Sequence, residues 1–231
     1  HYCDDFAAAL DVAKSSTAQL LSDLARLVAQ ADTYVQEMDF RFLYNDRREV
    51  FHIGYNVDSG TLDNSYYDLL ASEARIASLL AIAKGDVPQR HWLHLARPLT
   101  QTNRGSRALL SWSGTMFEYL MPPLLLGSYP GTLLYQTAEA AVDQQIDYGR
   151  QKSVPWGISE SGFYAFDAAY NYQYRAFGVP GLGFKRGLAD DLVVAPYASL
   201  LALPFRPGEV MQNIEAMQDM KLVGRYGLYE A

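Results

Sequence analysis

Cysteine is almost missing from this 231-residue chain, where Cys3 stands alone. No internal disulfide is possible, which fits a reducing compartment. Positive charge is also short: 19 Lys and Arg stand against 26 Asp and Glu, for a net charge of −7. Such a surface does not gather phosphates, which argues against nucleic acid as a partner and against docking on anionic membranes. The longest nearly apolar run, Leu192 to Leu203, contains Pro196, Tyr197 and Ser199 and is too short to span a bilayer. No basic-then-apolar leader opens the chain. There is no HExxH and no Cys cluster, so His91 and His94, flanking Trp92 and Leu93, read as ordinary loop histidines rather than metal ligands. No GxSxG marks a serine hydrolase. The run from Gly178 to Gly187 lacks the Walker form and follows no strand, so it reads as a rigid loop lining a cleft. No cofactor and no metal is expected.

What the chain does have is apolar and aromatic mass. Residues are 49% hydrophobic, with 17 Tyr, 10 Phe and 3 Trp. That supports a sizeable core in one domain, or at most two. Asp4 and Asp5 suit the start of a long helix, or of two helices broken near Lys14 to Thr17, in which Leu20, Leu24, Leu27, Val28, Ala31 and Val35 recur at helical spacing. Residues 38–57 alternate around Asn45-Asp46-Arg47-Arg48 and read as a β-hairpin insertion. Ser65 to Asp68 has capping-box form, predicting a helix from there to about Lys84, stopped by Gly85. Pro98 to Arg107 reads as a polar loop. Helices are expected over Ser111–Leu126, interrupted at Pro122-Pro123, and over Thr132–Gln151, Val194–Leu203 and Gly208–Leu222. Asp167–Ala176 reads as helical or irregular. Asp190-Asp191 reads as an N-cap pair, although sugar binding is open to it. About seven helices and one hairpin make an all-α dominated domain. The start at His1 and the end at Ala231 suggest a piece of a longer chain.

The most informative stretch is Val154 to Tyr164. It sets Glu160 among Trp156, Phe163 and Tyr164, with Gly157 and Gly162 close by, and reads as neither helix nor strand. Aromatic faces stack on sugar rings, and a positioned carboxylate serves glycosidic chemistry. An ordinary buried turn with a solvated Glu fits the same residues. On the expected helix, Glu73 falls in the middle of a stripe holding Tyr66, Leu69, Leu70, Ile76, Ala77 and Leu80. Burial there would oppose its ionisation, and a buried carboxylate has either a partner or a task. A salt bridge inside a bundle remains open for it. Glu118, among aromatic and apolar neighbours, reads as a support tying helix ends together.

Several long blocks carry a resemblance. They are Met38 to Tyr44, Ile53 to Val57, Leu62 to Arg75, Leu110 to Pro122, Pro155 to Ser161, Phe177 to Leu188, Asp190 to Ala198 and Gly224 to Ala231. Together they resemble the glycoamylase-like middle domain of bacterial cyclic β-1,2-glucan synthases, over nearly all of the chain after residue 20. The resemblance implies a partial (α/α)6 toroid, because a closed one needs about twelve helices. It implies retaining transglycosylation that closes a linear β-1,2-glucan into a ring, with Glu73 as acid/base and Glu160 as nucleophile. Asp68, Arg75 and Glu118 would support them, and Tyr66, Trp112, Trp156, Phe163 and Tyr174 would stack on substrate. The glucan chain and the remaining domains of the parent synthase are the implied partners. The implied location is the cytoplasmic face of the inner membrane, through the parent and not through insertion of this segment. An endo-β-1,2-glucanase and a non-catalytic glucan-binding module are the alternatives.

Overall fold

The structure is a computed structural model that describes residues 1–229, so the last two residues of the Gly224–Ala231 block lie outside it. The chain is about 45% helical with short strands. It opens with α1, Tyr2–Glu37, a 36-residue helix without a buried residue. Of the two readings, the single long helix is the one present, with no break near Lys14–Thr17. The hydroxyls of Ser15 and Thr17 donate back to the carbonyls of Val12 and Ala13 at 3.1 and 2.7 Å, so they find their partners within the helix. The apolar stripe of α1 is solvent-exposed. The Lys84 ammonium donates to the Met38 carbonyl just after its end.

The 38–57 segment begins with a 3-10 turn at Arg41–Leu43. It continues as strands β1 (Tyr44–Asn45) and β2 (Val50–His52), with Tyr44 opposite Phe51. A second hairpin follows, β3 (Tyr55–Asn56) with β4 (Thr61–Leu62). Strand β5 (Tyr66–Tyr67) then pairs on the free side of β2, Phe51 opposite Tyr67 and His52 opposite Tyr66. The helix expected from Ser65 therefore starts ten residues late, as α2 (Arg75–Lys84). Two pairings override the helical period. Tyr66-Tyr67 are strand formers beside an open edge. Next, Leu69 bridges Ala96, with N–H···O bonds of 3.0 Å from Leu70 to Ala96 and 2.6 Å from Ala96 to Asp68. α2 stops at Gly85, as expected, with φ +78°.

After α3 (Arg90–His94), the expected polar loop is instead a hairpin of β6 (Leu99–Gln101) and β7 (Arg107–Leu109). Helix α4 (Met116–Leu126) begins five residues later than expected and continues through Pro122 and Pro123. Those prolines lack N–H groups, so the carbonyls of Glu118 and Tyr119, four residues earlier, lose their helical donors. Arg75 supplies them. Its guanidinium donates at 3.1 Å to each of these carbonyls and at 3.1 Å to Ser72. Buried Arg75 thus holds a proline-bearing helix straight, and it couples α2 to α4.

Helix α5 (Leu133–Lys152) is capped by Thr132. Strands β8 (Glu160–Phe163) and β9 (Gln173–Ala176) pair antiparallel, so a strand forms within Val154–Tyr164, read as neither helix nor strand, and at the end of Asp167–Ala176, read as helical or irregular. The remainder is α6 (Pro196–Leu201), α7 (Pro207–Asp219) and a hairpin of β10 (Val223–Gly224) with β11 (Gly227–Leu228). Ala195, not the Asp190-Asp191 pair, occupies the N-cap of α6. Asp191 faces Arg175 at 3.4 Å instead. The main core joins α4 (Met116, Tyr119, Leu120) to α5 (Ala138, Ala141, Val142, Ile146), with Leu109, Ile158, Leu182 and Ala198 around them. The alanines of α5 let neighbouring backbone come close. Among the described residues, no helix is long and apolar enough to cross a membrane.

Arg75→Lys keeps the charge but loses the planar fork. We expect it to cost about 1–3 kcal/mol, seen as a fall of roughly 3–10 °C in the melting temperature of a domain this size. An unchanged melt would show that the prolines need no such support.

Candidate active site

Three segments converge beside the core. The first is the extended chain from Pro155 to Glu160, threaded between helices. Side-chain amides take the place of strand partners along it. Gln145 on α5 accepts from the Ile158 N–H and donates to its carbonyl, both at 2.8 Å. Asn213 on α7 accepts from the Trp156 N–H at 3.0 Å and donates to its carbonyl at 2.8 Å. Ser199 adds a bond to the Trp156 carbonyl at 2.8 Å. Gly157, at φ +118°, makes the turn between the two clamps, where a Cβ would sit 2.6 Å from the Ser199 hydroxyl. The Tyr197 hydroxyl then donates to the Glu160 carbonyl at 3.0 Å. Every step fixes where Glu160 leaves the core.

The second segment is Ser111–Thr115. The buried Glu118 carboxylate sits inside it, accepting from Ser111 Oγ (2.8 Å), Ser113 N (3.0 Å), Thr115 N (2.8 Å) and Thr115 Oγ1 (3.0 Å). These bonds wrap the loop and cap α4. The loop also pairs with the glycine-rich run behind it: Ser111 N–H reaches Leu182 O at 3.0 Å, and Lys185 N–H reaches Trp112 O at 2.8 Å. A Cβ on Gly178 would overlap the Ser113 carbonyl, and one on Gly183 would lie 2.6 Å from Gly114 N. The glycine run is therefore a backing that holds the exposed Trp112 in place, rather than a lining of the cleft itself. The third segment, Ser65–Glu73, comes from β5 and the turn before α2.

These segments enclose a cleft of about 500 Å³ lined by Tyr66, Tyr67, Asp68, Ser72, Glu73, Trp112, Ser113, Glu118 and Glu160, among others. Glu73 and Glu160, far apart in sequence, face the same space. Burial pushes the Glu73 carboxyl above the ordinary glutamate range, and the neighbouring Glu118 adds to this against opposing bonds from its own backbone and Ser72. Burial also raises Glu160, and the charge of Glu73 raises it further, while the Tyr174 hydroxyl, 3.3 Å away, and Lys185 favour its ionised form. Tyr67 is raised by burial and then by both carboxylates, which places it beside the pair. The arrangement is two partly desolvated acids, one with cationic and hydroxyl support for its anion, along an aromatic-sided trough.

A family model described as "Putative glucoamylase" matches residues 65–231. The chain belongs to the glycoamylase-like family. It is 50% identical over 195 residues to the cyclic β-(1,2)-glucan synthase NdvB of Rhizobium meliloti, covering 84% of this chain but only 7% of that protein. A crystal structure described as a "putative glucoamylase", from Bacteroides caccae, matches 89% of this chain and 53% of its own, with a TM-score of 0.63 and 18% identity, a likeness of fold. The chain thus spans about half the length of the solved structure and a small part of the curated relative. Family membership makes it a carbohydrate-active domain, a segment of a larger protein.

Within this glycoamylase-like domain the candidates separate. Tyr66, Asp68, Trp112, Glu118, Glu73 and Glu160 all line the cleft. Tyr66 is packed against His52, with ring centroids 4.5 Å apart, and lies under Arg48 at 4.5 Å. Tyr174 meets Glu160 through its hydroxyl. Arg75 is spent on backbone carbonyls and acts on Glu73 only as the smallest of its influences. Two expectations need correction. Trp156 is buried behind the cleft against Gly149, so it has no open face for a sugar. Phe163 stands an odd number of residues from Glu160 on one strand and therefore points to the other face of β8, where it lines a separate hollow. Nor is Glu73 on a helix stripe; it lies just before α2, and its apolar surroundings come from other segments. Tyr67 was missed. A helix reading hides it, whereas a strand reading of Ser65–Asp68 would have drawn both tyrosines into view.

His91 is buried, not exposed. Its ring bonds Glu49 O at 2.8 Å and Ser78 Oγ at 2.9 Å, and burial pushes its pKa down. His94 pairs with Glu49 at 2.9 Å. Among the described residues, no group of three or more His, Cys, Asp or Glu is placed to hold a metal ion.

A carboxyl whose folded-state pKa is raised binds its proton more tightly in the folded state. Its stabilising effect is complete below the unfolded glutamate value of about 4.3, and is lost as pH rises through the folded value. Glu73→Gln removes this ionisation. The variant is expected to melt above the wild type at pH 7, with the gap closing near pH 4. Melts at the two pH values check this, and a gap independent of pH contradicts the assignment. Gln145→Leu strands a buried N–H and C=O at Ile158 and is expected to cost about 2–4 kcal/mol, measured by denaturant unfolding.

Proposed function

We propose that this domain acts on β-1,2-glucan by retaining transglycosylation and closes the linear chain into a ring. The observation that carries the reading is the convergence of Glu73 and Glu160 on one aromatic-sided cleft. The relative's name supplies the substrate class.

In the first step a Glu160 carboxylate oxygen attacks the anomeric carbon. The glycosidic C–O bond breaks, and the Glu73 carboxyl gives its proton to the departing sugar oxygen. In the second step the 2-hydroxyl at the non-reducing end of the held chain attacks the same carbon. Glu73 takes that proton, and the bond to Glu160 breaks. On this reading Glu73 is the acid, because burial raises its carboxyl, and Glu160 is the nucleophile, because Tyr174 and Lys185 favour its anion against the burial that raises it too. Retention calls for carboxyl groups about 5–5.5 Å apart. Asp68, Trp112, Tyr66 and Tyr67 would contact a sugar bound in the cleft they line, and Glu118 holds the loop that carries Trp112. The Trp112 and Tyr66 faces help exclude water, the competing acceptor.

Residues 1–231 form, on this reading, one glycoamylase-like unit of a larger chain, part of an (α/α)6 toroid with the 38–57 hairpin inserted. It works beside the other domains of a synthase at the cytoplasmic face of the bacterial inner membrane.

Glu73→Gln and Glu160→Gln are each expected to lower product formation from linear β-1,2-glucan by about 10²–10⁴-fold or more. Mass analysis separates the outcomes. Rings are one water lighter than the matching linear glucan, so purely linear products point to a hydrolase. Full activity in both variants removes the catalytic reading and leaves a glucan-holding module.

A further inference from the structure

The connection between β8 and β9 is unlike the rest of the surface. From 164 to 174 it carries five aromatic side chains, each at least 60% exposed: Tyr164, Phe166, Tyr170, Tyr172 and Tyr174. Between them lie only alanines and the polar residues Asp167, Asn171 and Gln173, with no branched aliphatic side chain. Exposing so much aromatic surface is unfavourable unless something covers it. Aromatic faces interleaved with amides and a carboxylate match the two faces of a pyranose, stacking on its C–H groups and bonding its hydroxyls.

The loop is also built, not loose. The Asp167 carboxylate accepts from Ala169 N (2.8 Å), Asn171 N (2.9 Å) and Asn171 Nδ2 (3.0 Å). Tyr170 N–H returns to Asp167 O at 3.0 Å, and Tyr170 takes the left-handed conformation at φ +59° that the turn requires. Most decisive is its attachment. The loop grows directly from the strand that begins at Glu160, and its last aromatic, Tyr174, stands opposite Gly162 and bonds the Glu160 carboxylate. The loop thus meets the cleft at Tyr174, while Tyr164 at its other end lines the hollow shared with Phe163.

We propose that the 164–174 loop is a glucan-binding platform outside the cleft, which holds the part of a long β-1,2-glucan that extends beyond the two carboxylates. This rests on the proposed reading of the cleft. A platform at this place would favour long chains over short ones and keep a chain's remote end near the reacting centre, as ring closure needs.

The test is calorimetric titration of the chain carrying Glu73→Gln, which blocks turnover, with short linear β-1,2-glucan oligomers that fit within the cleft and with long ones that reach past it. The comparison adds Phe166→Ala with Tyr172→Ala, two exposed positions of ordinary backbone conformation. The loop variant is expected to bind long glucan about tenfold more weakly, the equivalent of losing two ring stacks, while short oligomers bind as before. Unchanged affinity for long glucan overturns the platform and leaves the loop to a different partner. If neither length binds even with the loop intact, the reading of the cleft fails first and the platform falls with it.

Discussion

The position of Glu160 depends on two buried carboxamides. An extended segment running through the middle of a helical core must satisfy its backbone N–H and C=O groups without a neighbouring strand. Gln145 and Asn213 each offer one donor and one acceptor in the geometry of a peptide group, and each closes a two-bond ring on the backbone, at Ile158 and Trp156 respectively. This lets chain pass between α5 and α7 and emerge as the strand that starts with Glu160. Buried amides are costly when half-satisfied, so the clamps act in pairs with the backbone or not at all.

The opposite wall uses other means to the same end. Glu118 holds the Ser111–Thr115 loop with four charge-assisted bonds, while Gly114, Gly178 and Gly183 allow two backbones to touch. Arg75 then ties the adjacent helix to α2 through carbonyls that Pro122 and Pro123 leave open. Arg75 and Glu118, expected as supports, thus act by satisfying backbone. Glu73 and Glu160 differ from Glu118 in accepting few hydrogen bonds while lining the same cleft, and burial raises the pKa of each of the two.

How much of this was legible beforehand varies by element. Helices α5 and α7 lie close to the spans expected for them, because helix-forming sequence is a local signal. The stop at Gly85 falls where expected too, since a left-handed terminus suits a residue without Cβ. Ser65–Ala74 misled, because strand pairing with Val50–His52 and the bridge to Ala96 are long-range contacts that no local period reveals. Glu73 was selected by a helical stripe that does not exist, yet it does lie in an apolar, aromatic setting assembled from other segments. Trp156 and Phe163 looked alike next to Glu160; strand alternation and core packing turned both away from the cleft.

The sequence by itself determined the helix-rich class, the absence of internal disulfides, the net negative charge and, through long matching blocks, the family. These are properties of residue type and local spacing. Only the tertiary structure decided which aromatics face the cleft, which charges are committed to backbone, and that the 164–174 loop presents its rings beside Glu160. Of that loop it is Tyr174 that meets Glu160; these outcomes turn on which side of a strand a residue falls and which distant backbone needs a partner, and both are fixed when the segments pack together.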